Sequence, residues 1–423
     1  MKSIGQMNPQ MRADQKKRIH DNHHQQGLSI LFIVPSDYTS LLAKGVIHLI
    51  LERDERGFFK KVFSAHPYAS RTQTLALNET HQVIEFGPNY PCSILNFKYG
   101  RIINYLLKPA LIIKVLTNLI KREHIDVIRA TDGFWCGFYA WAVSKLAGIP
   151  FCISIHTNYE RYFRQIGRKR GMPLLFKMFE RFTLPRAHLV MPIREHIVQG
   201  MLSMGVDPNR ICVIPHGIST EEFLIPENVE IFERFGIPLG KKVISFVGRL
   251  ARDNYVYDIV EVTRRISMMR SDFIVLLVGD GLEHNGLKSL VQEYGLSSIV
   301  MFTGFQPRDI VISIRSRSLM SLCLKGGFSL IESCVAGCPS ISYDIEWHYE
   351  LVKNGETGFL IEESNLDAVT EAVIYLLDHP EQAREMGAKA RKLAIARHDL
   401  SHTTEVKRNY YRKLLKYKIS CRW

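Results

Sequence analysis

From residue 29 onward, the chain alternates between short apolar runs of strand length and longer amphipathic stretches of helical length. Continuous apolar strands separated by helices are typical of a parallel sheet that is covered on both faces. In the first half, the strand-like runs are SILFIVP (29–35), VIRAT (127–131), FCISIHT (151–157), HLVMPI (188–193) and ICVIPHG (211–217). This pattern predicts a doubly wound α/β domain.

The same rhythm restarts after about residue 240, with KVISFVG (242–248), FIVLLVG (273–279), SIVMFTG (298–304), SLMSLCL (318–324) and CPSISYD (338–344). A chain of 423 residues suits two domains of about 200 residues each. We therefore predict two Rossmann-like domains that face a central cleft. The predicted segments are a disordered polar tail (1–28), a first Rossmann-like domain (29–205), a second Rossmann-like domain (206–390), and a basic helix (391–423) that crosses back to the first domain.

Charge and hydropathy limit the classes of partner. The 55 Lys and Arg residues against 42 Asp and Glu give a net charge of +13, which favours anionic partners. No apolar run approaches the roughly 20 residues that a membrane span needs. The sequence thus predicts a cytoplasmic protein that is soluble or peripheral at the inner face of the plasma membrane. The spacing of Cys334 and Cys338 favours core positions on one helix face over metal ligands.

Residues that follow the strands of the second half carry the predicted chemistry, because ligands of open α/β sheets bind beyond the carboxyl ends of the strands. Arg249 follows KVISFVG and is well placed to pair with a diphosphate. The neighbouring glycines would let a ligand approach the backbone closely, although each alone is only a turn signal. They are Gly248, Gly281 and Gly304.

The stretch SLCLKGGFSLIES (321–333) predicts a strand, a turn at Gly326 and Gly327, and a helix from Ser329 onward. Free amides and the helix dipole at such a terminus suit a phosphate or a polar sugar. Glu332 lies one turn into the helix. Its carboxylate can accept hydrogen bonds from two vicinal hydroxyls, as on a ribose, or it can stabilise the first helical turn.

These motifs together resemble the retaining glycosyltransferases of family 4, the group 1 transferases, which have the GT-B fold. The resemblance is strong over about 205–380 and weaker over 29–200. It rests on PHG (215–217), VGRL (247–250), GDG (279–281), FTG (302–304), GFS (327–329) with ES (332–333) and AGCP (336–339), and NGETGFL (354–360), in that order.

The resemblance implies transfer of a sugar from a nucleoside diphosphate sugar with retention of configuration, without a metal or another cofactor. By resemblance, Arg249 contacts the donor diphosphate and Glu332 the ribose. Gly304 and Phe305 lie near the base, and His156 lies against the donor sugar, although a structural histidine is the alternative. The predicted donor-binding set is completed by Gly248, Asn254, Gly281, Gly326, Gly327, Phe328 and Ser329.

Two departures from the family pattern concern charge. The family has a lysine where this chain has Asn254, and an acid where it has Leu324, which Lys325 follows. Lys325 could restore the missing cation as a catalytic residue, or pair with an acidic donor sugar, or the site could be weak or inactive. The first strand also lacks the family's Gly-Gly loop.

Basic amphipathic stretches at 101–122 and 161–182 favour either an anionic membrane surface or ordinary solvated helices. With the basic C-terminus, they point to a glycan or lipid-linked acceptor in the synthesis of a cell-surface polysaccharide or lipopolysaccharide. The alternatives are an inactive donor-binding or scaffold subunit, a GT-B epimerase and a phosphorylase, whose pyridoxal lysine cannot be assigned. Binding of nucleic acid is not expected, because only the positive net charge favours it and the sequence shows no nucleic-acid recognition motif.

Overall fold

The computed structural model describes residues 27–43, 48–88, 90, 98–156, 171–224 and 230–420. The chain forms two compact units: unit 1 contains the chain up to Ile214 and again from Thr404, and unit 2 contains Pro215–Thr403. Each unit has its own mainly parallel sheet and hydrophobic core. The prediction of two doubly wound α/β domains is therefore confirmed. The predicted tail lies almost wholly outside the described residues.

Unit 1 is built on a seven-stranded sheet. Its strands are β1 (Leu28–Ile33), β2 (Phe59–His66), β3 (Gln73–Ala76), β4 (His81–Glu85), β5 (Val127–Ala130), β6 (Phe151–Ile155) and β7 (Leu189–Pro192). They lie in the order β3-β4-β2-β1-β5-β6-β7, and all neighbours are parallel except β3, which is antiparallel to β4. The sequence pattern missed β2, β3 and β4, because charged or polar residues interrupt their apolar character, as Lys60 and Lys61 do in β2.

The helices of unit 1 connect these strands. They are α1 (Tyr38–Ala43), α2 (His48–Leu51), α3 (Lys98–Glu123), α4 (Trp135–Ala147), α5 (Gly171–Thr183) and α6 (Val198–Ser203). The basic stretch 161–182 begins outside the described residues and ends in α5.

Unit 2 is built on a six-stranded parallel sheet. Its strands are β8 (Lys242–Val247), β9 (Phe273–Val278), β10 (Val300–Gly304), β11 (Met320–Leu322), β12 (Ser340–Tyr343) and β13 (Gly358–Ile361). They lie in the order β10-β9-β8-β11-β12-β13. Its helices are α7 (Val256–Ser267), α8 (His284–Glu293), α9 (Arg308–Arg317), α10 (Phe328–Val335), α11 (Leu366–Asp378) and α12 (Pro380–His398).

The first unit extends past the predicted boundary at 205/206. Residues 211–217 form no regular strand, but Cys212 N donates to Val190 O at 2.9 Å and Ile214 N donates to Pro192 O at 2.9 Å. These bonds continue the edge of the unit 1 sheet beyond β7. The first unit consequently ends at Ile214.

The last helix, α13 (Leu400–Ser420), continues into unit 1 from Thr404. The predicted start of this segment at residue 391 falls inside α12 of unit 2. On α13, the fully buried Tyr411 packs edge-on against Phe59, with ring centroids 4.9 Å apart. The helix covers one face of the unit 1 sheet, because the same apolar cluster contains Leu414 and residues of β1 and β5.

Both sheets reverse their strand order at one point. In unit 1 the chain runs outward from β1 through β2 and β4, then returns to place β5 on the other side of β1. In unit 2 it runs outward from β8 through β9 and β10, then returns to place β11 beside β8. Ligands of open α/β sheets bind at such a switch point. The residues that follow β8 and β11 therefore mark the expected ligand site of unit 2.

Candidate functional site at the switch point of unit 2

Two cations flank the switch point of unit 2 and share one carboxylate. Arg249, after β8, donates from Nη2 to both oxygens of Asp253, at 3.1 and 2.9 Å. Lys325, after β11, has its Nζ 3.8 Å from Asp253 Oδ2. The shared acid therefore brings the guanidinium and the ammonium into one exposed cluster. Sequence reasoning missed Asp253, although its spacing of four residues from Arg249 was a usable signal.

Asn254, where the family has a lysine, makes a backbone contact instead. Its Nδ2 donates to Arg249 O at 2.8 Å, across the short 3-10 helix Arg252–Asn254. The side chain fastens the turn that carries Arg249. A positive charge at this end of the sheet is then supplied by Lys325, whereas Leu324 is completely buried in the core. The predicted contact between Asn254 and the donor stays a prediction.

Gly281, which is predicted to admit the donor, and the nearby Gly279 are needed for backbone packing. A Cβ on Gly281 would lie 2.3 Å from Leu250 O, and one on Gly279, whose φ is +130°, would lie 2.0 Å from Gly248 O. The loops after β8 and β9 are in backbone contact, so a side chain at either position would force them apart. This contact fixes the loop that holds Gly248 and Arg249.

The turn after β11 rests on a buried histidine. The hydroxyl of Ser342 donates to Cys323 O at 2.8 Å, so it accepts the hydrogen bond from His348 Nδ1 at 2.6 Å. His348 Nε2 lies against the backbone of one glycine, 3.3 Å from Gly326 N and 3.1 Å from Gly326 O. The completely buried ring thus holds the backbone of Gly326 in place. No motif or spacing in the chain predicted a role for His348.

Helix α10 begins at Phe328, one residue before the predicted start, and no side chain caps its N-terminus. The hydroxyl of Ser329 donates to Val247 O at 2.5 Å, which ties the helix to the end of β8. Gly327 precedes the helix, and a Cβ there would meet open space. The first turn of α10 is therefore anchored beside the cation cluster, with its amide groups at the carboxyl end of β11.

A fully buried arginine on α9 fastens the same turn. Arg315 Nη1 donates to Ser329 O at 3.0 Å, and its Nη2 donates to Ser329 Oγ at 3.1 Å and to Glu332 Oε2 at 3.3 Å. Its side chain is only 1% exposed. A buried guanidinium with such bonds makes the N-terminal turn of α10 a rigid element.

Glu332, the predicted ribose ligand, has both oxygens engaged by arginines. Arg308 donates to Oε1 at 2.8 Å, and Arg308 also pairs with Glu222. The carboxylate remains 16% exposed. Sequence reasoning missed Arg308 and Arg315, although their spacing of seven residues places both on one face of α9. The ribose contact of Glu332 stays a prediction.

The loop after β10 carries an exposed aromatic ring. The N–H of Gly279 donates to Gly304 O at 2.9 Å, which joins this loop to the end of β9. The Phe305 side chain is 89% exposed, and Phe328 is 44% exposed, with its ring 4.8 Å from that of His216. Exposed rings at strand ends suit stacking on a base or a sugar.

His156 lies in unit 1, where it follows β6 directly. Desolvation in its dense surroundings, followed by the positive charges of Arg129 and Arg53, lowers the pKa of His156 to about 4. Because the ring still reaches solvent, the two cations are the firmer reason for this direction. At neutral pH the imidazole is therefore uncharged and can exchange hydrogen bonds with a polar ligand. Its contact with the donor sugar stays a prediction.

Within the described ranges, no group of three or more His, Cys, Asp or Glu side chains could hold a metal ion. Across the same residues, no helix combines the length and apolarity that crossing a membrane would require.

Comparison with known proteins identifies the family. The model described as "Glycosyl transferases group 1" matches residues 227–393, and the one described as "Glycosyltransferase Family 4" matches residues 73–222. Alpha-D-kanosaminyltransferase of Streptomyces kanamyceticus is 24% identical over 288 residues, which cover 66% of this chain and 74% of that protein.

A lipid-linked acceptor is named in a second relative. UDP-Gal:alpha-D-GlcNAc-diphosphoundecaprenol alpha-1,3-galactosyltransferase of Escherichia coli is 28% identical over 272 residues, covering 62% of this chain and 69% of that protein. Among solved structures, Anabaena HepE in complex with UDP has a TM-score of 0.70 at 15% identity, covering 91% of this chain and 100% of that one. This last likeness concerns the fold, which is GT-B. The chain belongs to the group 1 glycosyltransferases of family 4.

Proposed function

We propose that the protein transfers a sugar from a nucleoside diphosphate sugar to a glycan or lipid-linked acceptor, with retention of configuration and without a metal. The donor binds at the switch point of unit 2. Arg249, Lys325 and the first amides of α10 stabilise the charge that develops on the leaving diphosphate. Glu332 holds the ribose, and the nucleoside diphosphate sugar is a co-substrate rather than a cofactor.

The cluster of Arg249, Asp253 and Lys325 is the observation that carries this proposal. It contains two cations and one anion beside an uncapped helix N-terminus, so it has an excess of positive charge where a diphosphate needs it. A guanidinium whose Nη2 already donates to both oxygens of a carboxylate is placed to donate to phosphate oxygens instead. UDP in the Anabaena structure supports a nucleotide ligand for this fold.

Of the three roles open to Lys325, the geometry favours replacement of the missing cation. Its ammonium lies within 3.8 Å of the carboxylate that Arg249 binds, whereas Asn254 is turned toward the backbone. The Lys325 side chain is 27% exposed and so can exchange Asp253 for a ligand oxygen. If Lys325 instead paired with an acidic donor sugar, the donor would have to carry an additional carboxylate. Replacement of the missing cation needs only the diphosphate.

The decisive experiment measures release of nucleoside diphosphate from a panel of nucleoside diphosphate sugars, with and without a candidate acceptor. We expect acceptor-dependent release that persists in EDTA, and NMR of the product should show the anomeric configuration of the donor. Loss of turnover in EDTA would contradict the metal-free part of the proposal. A product with inverted configuration would contradict the retaining part.

A second candidate function is donor binding without transfer, which the replacement of the family's acid by the buried Leu324 favours. In that case the donor panel would raise the melting temperature without releasing nucleoside diphosphate. A GT-B epimerase would instead convert one donor sugar into another without an acceptor.

Access to a lipid-linked acceptor would be helped by membrane contact at α5. On this helix Leu174 is 63% exposed and Met178 is 61% exposed, one turn apart, with Lys177 beside them. Exposed apolar side chains next to cations suit the surface of an anionic bilayer. We propose that the protein is cytoplasmic and binds the inner face of the plasma membrane through this helix.

Sedimentation with vesicles that contain anionic lipid tests this contact. The double variant Leu174→Gln/Met178→Gln should lose most of the vesicle binding seen at low salt. Replacing Met269, which is 61% exposed in unit 2, by Gln is the matched control and should have no effect. Absence of wild-type binding at low salt would remove the membrane proposal.

A further inference from the structure

The switch point of unit 1 also carries a pair of guanidinium groups. Phe32 of β1 and Arg129 of β5 are partners in the sheet register. Arg53, from the 3-10 helix Glu52–Asp54 that precedes β2, reaches the same ring. The guanidinium carbons of Arg53 and Arg129 lie 5.0 and 5.4 Å from the centroid of Phe32. Two like charges thus share one aromatic ring inside unit 1.

The second guanidinium, that of Arg129, has three side-chain partners. Arg129 Nη1 donates to Tyr411 OH at 2.7 Å and to Glu55 Oε1 at 3.4 Å, and its Nε donates to Ser154 Oγ at 3.2 Å. The other oxygen of Glu55 is 3.1 Å from Lys407 Nζ. The buried carboxylate of Glu55 therefore already pairs with two cations, Arg129 and Lys407.

Arg53 has no comparable partner. Its Nη1 donates to Ser64 Oγ at 2.7 Å, and no carboxylate of the described residues lies within ion-pair distance of it. Burial, and then the charge of Arg129, lower the pKa of Arg53 to about 9, so it remains a cation at neutral pH. Glu55 pairs with Arg129 and Lys407, so it is not available to balance the charge of Arg53. An uncompensated charge in such surroundings is costly unless a ligand neutralises it.

The histidines around Arg53 do not compete for an anion. Burial and the charge of Arg53 lower the pKa of His66 to about 3 and that of His81 to about 4. His156, which follows Ser154 by two residues, is also influenced by Arg53 and is likewise neutral. His66 contacts the second nearby acid, Glu85, with Nδ1 3.5 Å from Oε1.

We propose that Arg53 is the centre of an anion site that binds a phosphate group of the acceptor. The assignment of the phosphate to the acceptor rests on the transferase function proposed above. Among the described residues, the hydrogen bond of the Arg53 guanidinium to Ser64 uses only Nη1, and a two-oxygen anion suits the fork geometry of a guanidinium. Arg129 adds positive charge without giving up its own bonds. The half-buried Arg53 remains partly open to solvent, as ligand entry requires.

The first test uses inorganic phosphate and histidine-selective NMR on the whole protein. Phosphate should shift the imidazole signals of His156 and His66 in the wild type, and Arg53→Gln should weaken this binding at least tenfold. Arg71→Gln, at an exposed position, is the matched control and should bind phosphate as the wild type does. Unshifted histidine signals in the wild type, or equal phosphate affinity in Arg53→Gln, would overturn the site.

Stability separates an anion site from a structural role. If the charge of Arg53 is uncompensated in the free protein, Arg53→Gln should melt at the same or a higher temperature. A large fall in melting temperature would mean that Arg53 is structural and would overturn the proposal. Should Arg53→Gln fail to fold, Arg53→Lys keeps the charge but loses the fork, and it should bind phosphate severalfold more weakly.

The source of the phosphate is tested with two acceptors, a prenyl-diphosphate-linked sugar and the methyl glycoside of the same sugar. Arg53→Gln should raise KM for the first at least tenfold and leave KM for the second unchanged. Equal effects on both acceptors would overturn the assignment to the acceptor's phosphate. Binding of UDP in unit 2 should be normal in Arg53→Gln. Absence of UDP binding to the wild type would argue against the proposed function and leave the phosphate result standing.

Discussion

Lys325 is the residue whose removal tests the donor site most directly. A hydrogen bond to a charged group contributes about 1.5–3 kcal/mol. In the free protein the ammonium already interacts with Asp253 at 3.8 Å, so part of the gain is lost when a ligand displaces that contact. We therefore expect Lys325→Ala to cost about 1.5–2 kcal/mol, which is roughly a 10–30-fold rise in Kd for a nucleoside diphosphate.

Calorimetry with UDP at low and moderate salt measures this change. Asp253→Asn should act in the opposite direction, because removal of the shared anion leaves two unopposed cations for the ligand. Lys288, an exposed lysine of α8, provides the control variant Lys288→Ala. A Kd for Lys325→Ala within twofold of the wild type would refute the reasoning, and so would weaker binding by Asp253→Asn.

Two further predictions concern buried histidines. His348→Ala should leave the N–H of Gly326 without its partner and cost about 1–3 kcal/mol. His348→Asn should keep the bond to Ser342 and lose the one to Gly326, so it should melt at a higher temperature than His348→Ala. Both variants should raise KM for the donor to the same extent, because both lose the contact that positions Gly326. An unchanged KM in both variants would rule out the positioning role. The lowered pKa values of His66 and His81 mean that the unfolded chain binds more protons than the folded one below pH 6.5. Stability should therefore fall by up to about 1.4 kcal/mol per pH unit for each of them as pH drops from about 6.5 to 5, a window above the range in which ion-paired carboxylates titrate. A melting temperature that stays flat over this window would contradict the shift.

The sequence could predict those parts of the site that follow from strand ends. Arg249 and Gly326 each follow an apolar run, and the carboxyl ends of parallel strands mark ligand sites, so the pattern alone pointed to them. The uninterrupted runs also predicted five of the six parallel strands of unit 2, β8 to β12, but not β13. In unit 1, by contrast, β2, β3 and β4 escaped notice, because charged or polar residues interrupt their apolar character.

What the sequence could not predict is how side chains from separate elements meet. Arg315 lies on α9 and holds Ser329 and Glu332 of α10, a pairing that depends on how the two helices pack. His348 reaches Gly326 from across 22 residues for the same reason. Neither contact leaves a recognisable spacing in the chain, so only the tertiary structure reveals that the turn at Gly326, the proposed donor-binding turn, is held by buried polar bonds.

The two switch points show why one cation pair could be predicted and the other could not. In unit 2 the cations stand in loops directly after their strands, where a charged residue interrupts an apolar pattern and is therefore conspicuous. In unit 1, Arg129 lies inside β5 and Arg53 in a 3-10 helix, so each taken alone resembles an ordinary surface residue. Burial affects both the free-energy cost of an arginine's charge and how easily that arginine is recognised from the sequence. The exposed Arg249 can be neutralised by Asp253 and solvent at little cost, whereas the half-buried Arg53 has neither a carboxylate among the described residues nor full hydration. Arg53, which is the harder arginine to recognise from the sequence, is thus the one whose charge a bound anion would stabilise more.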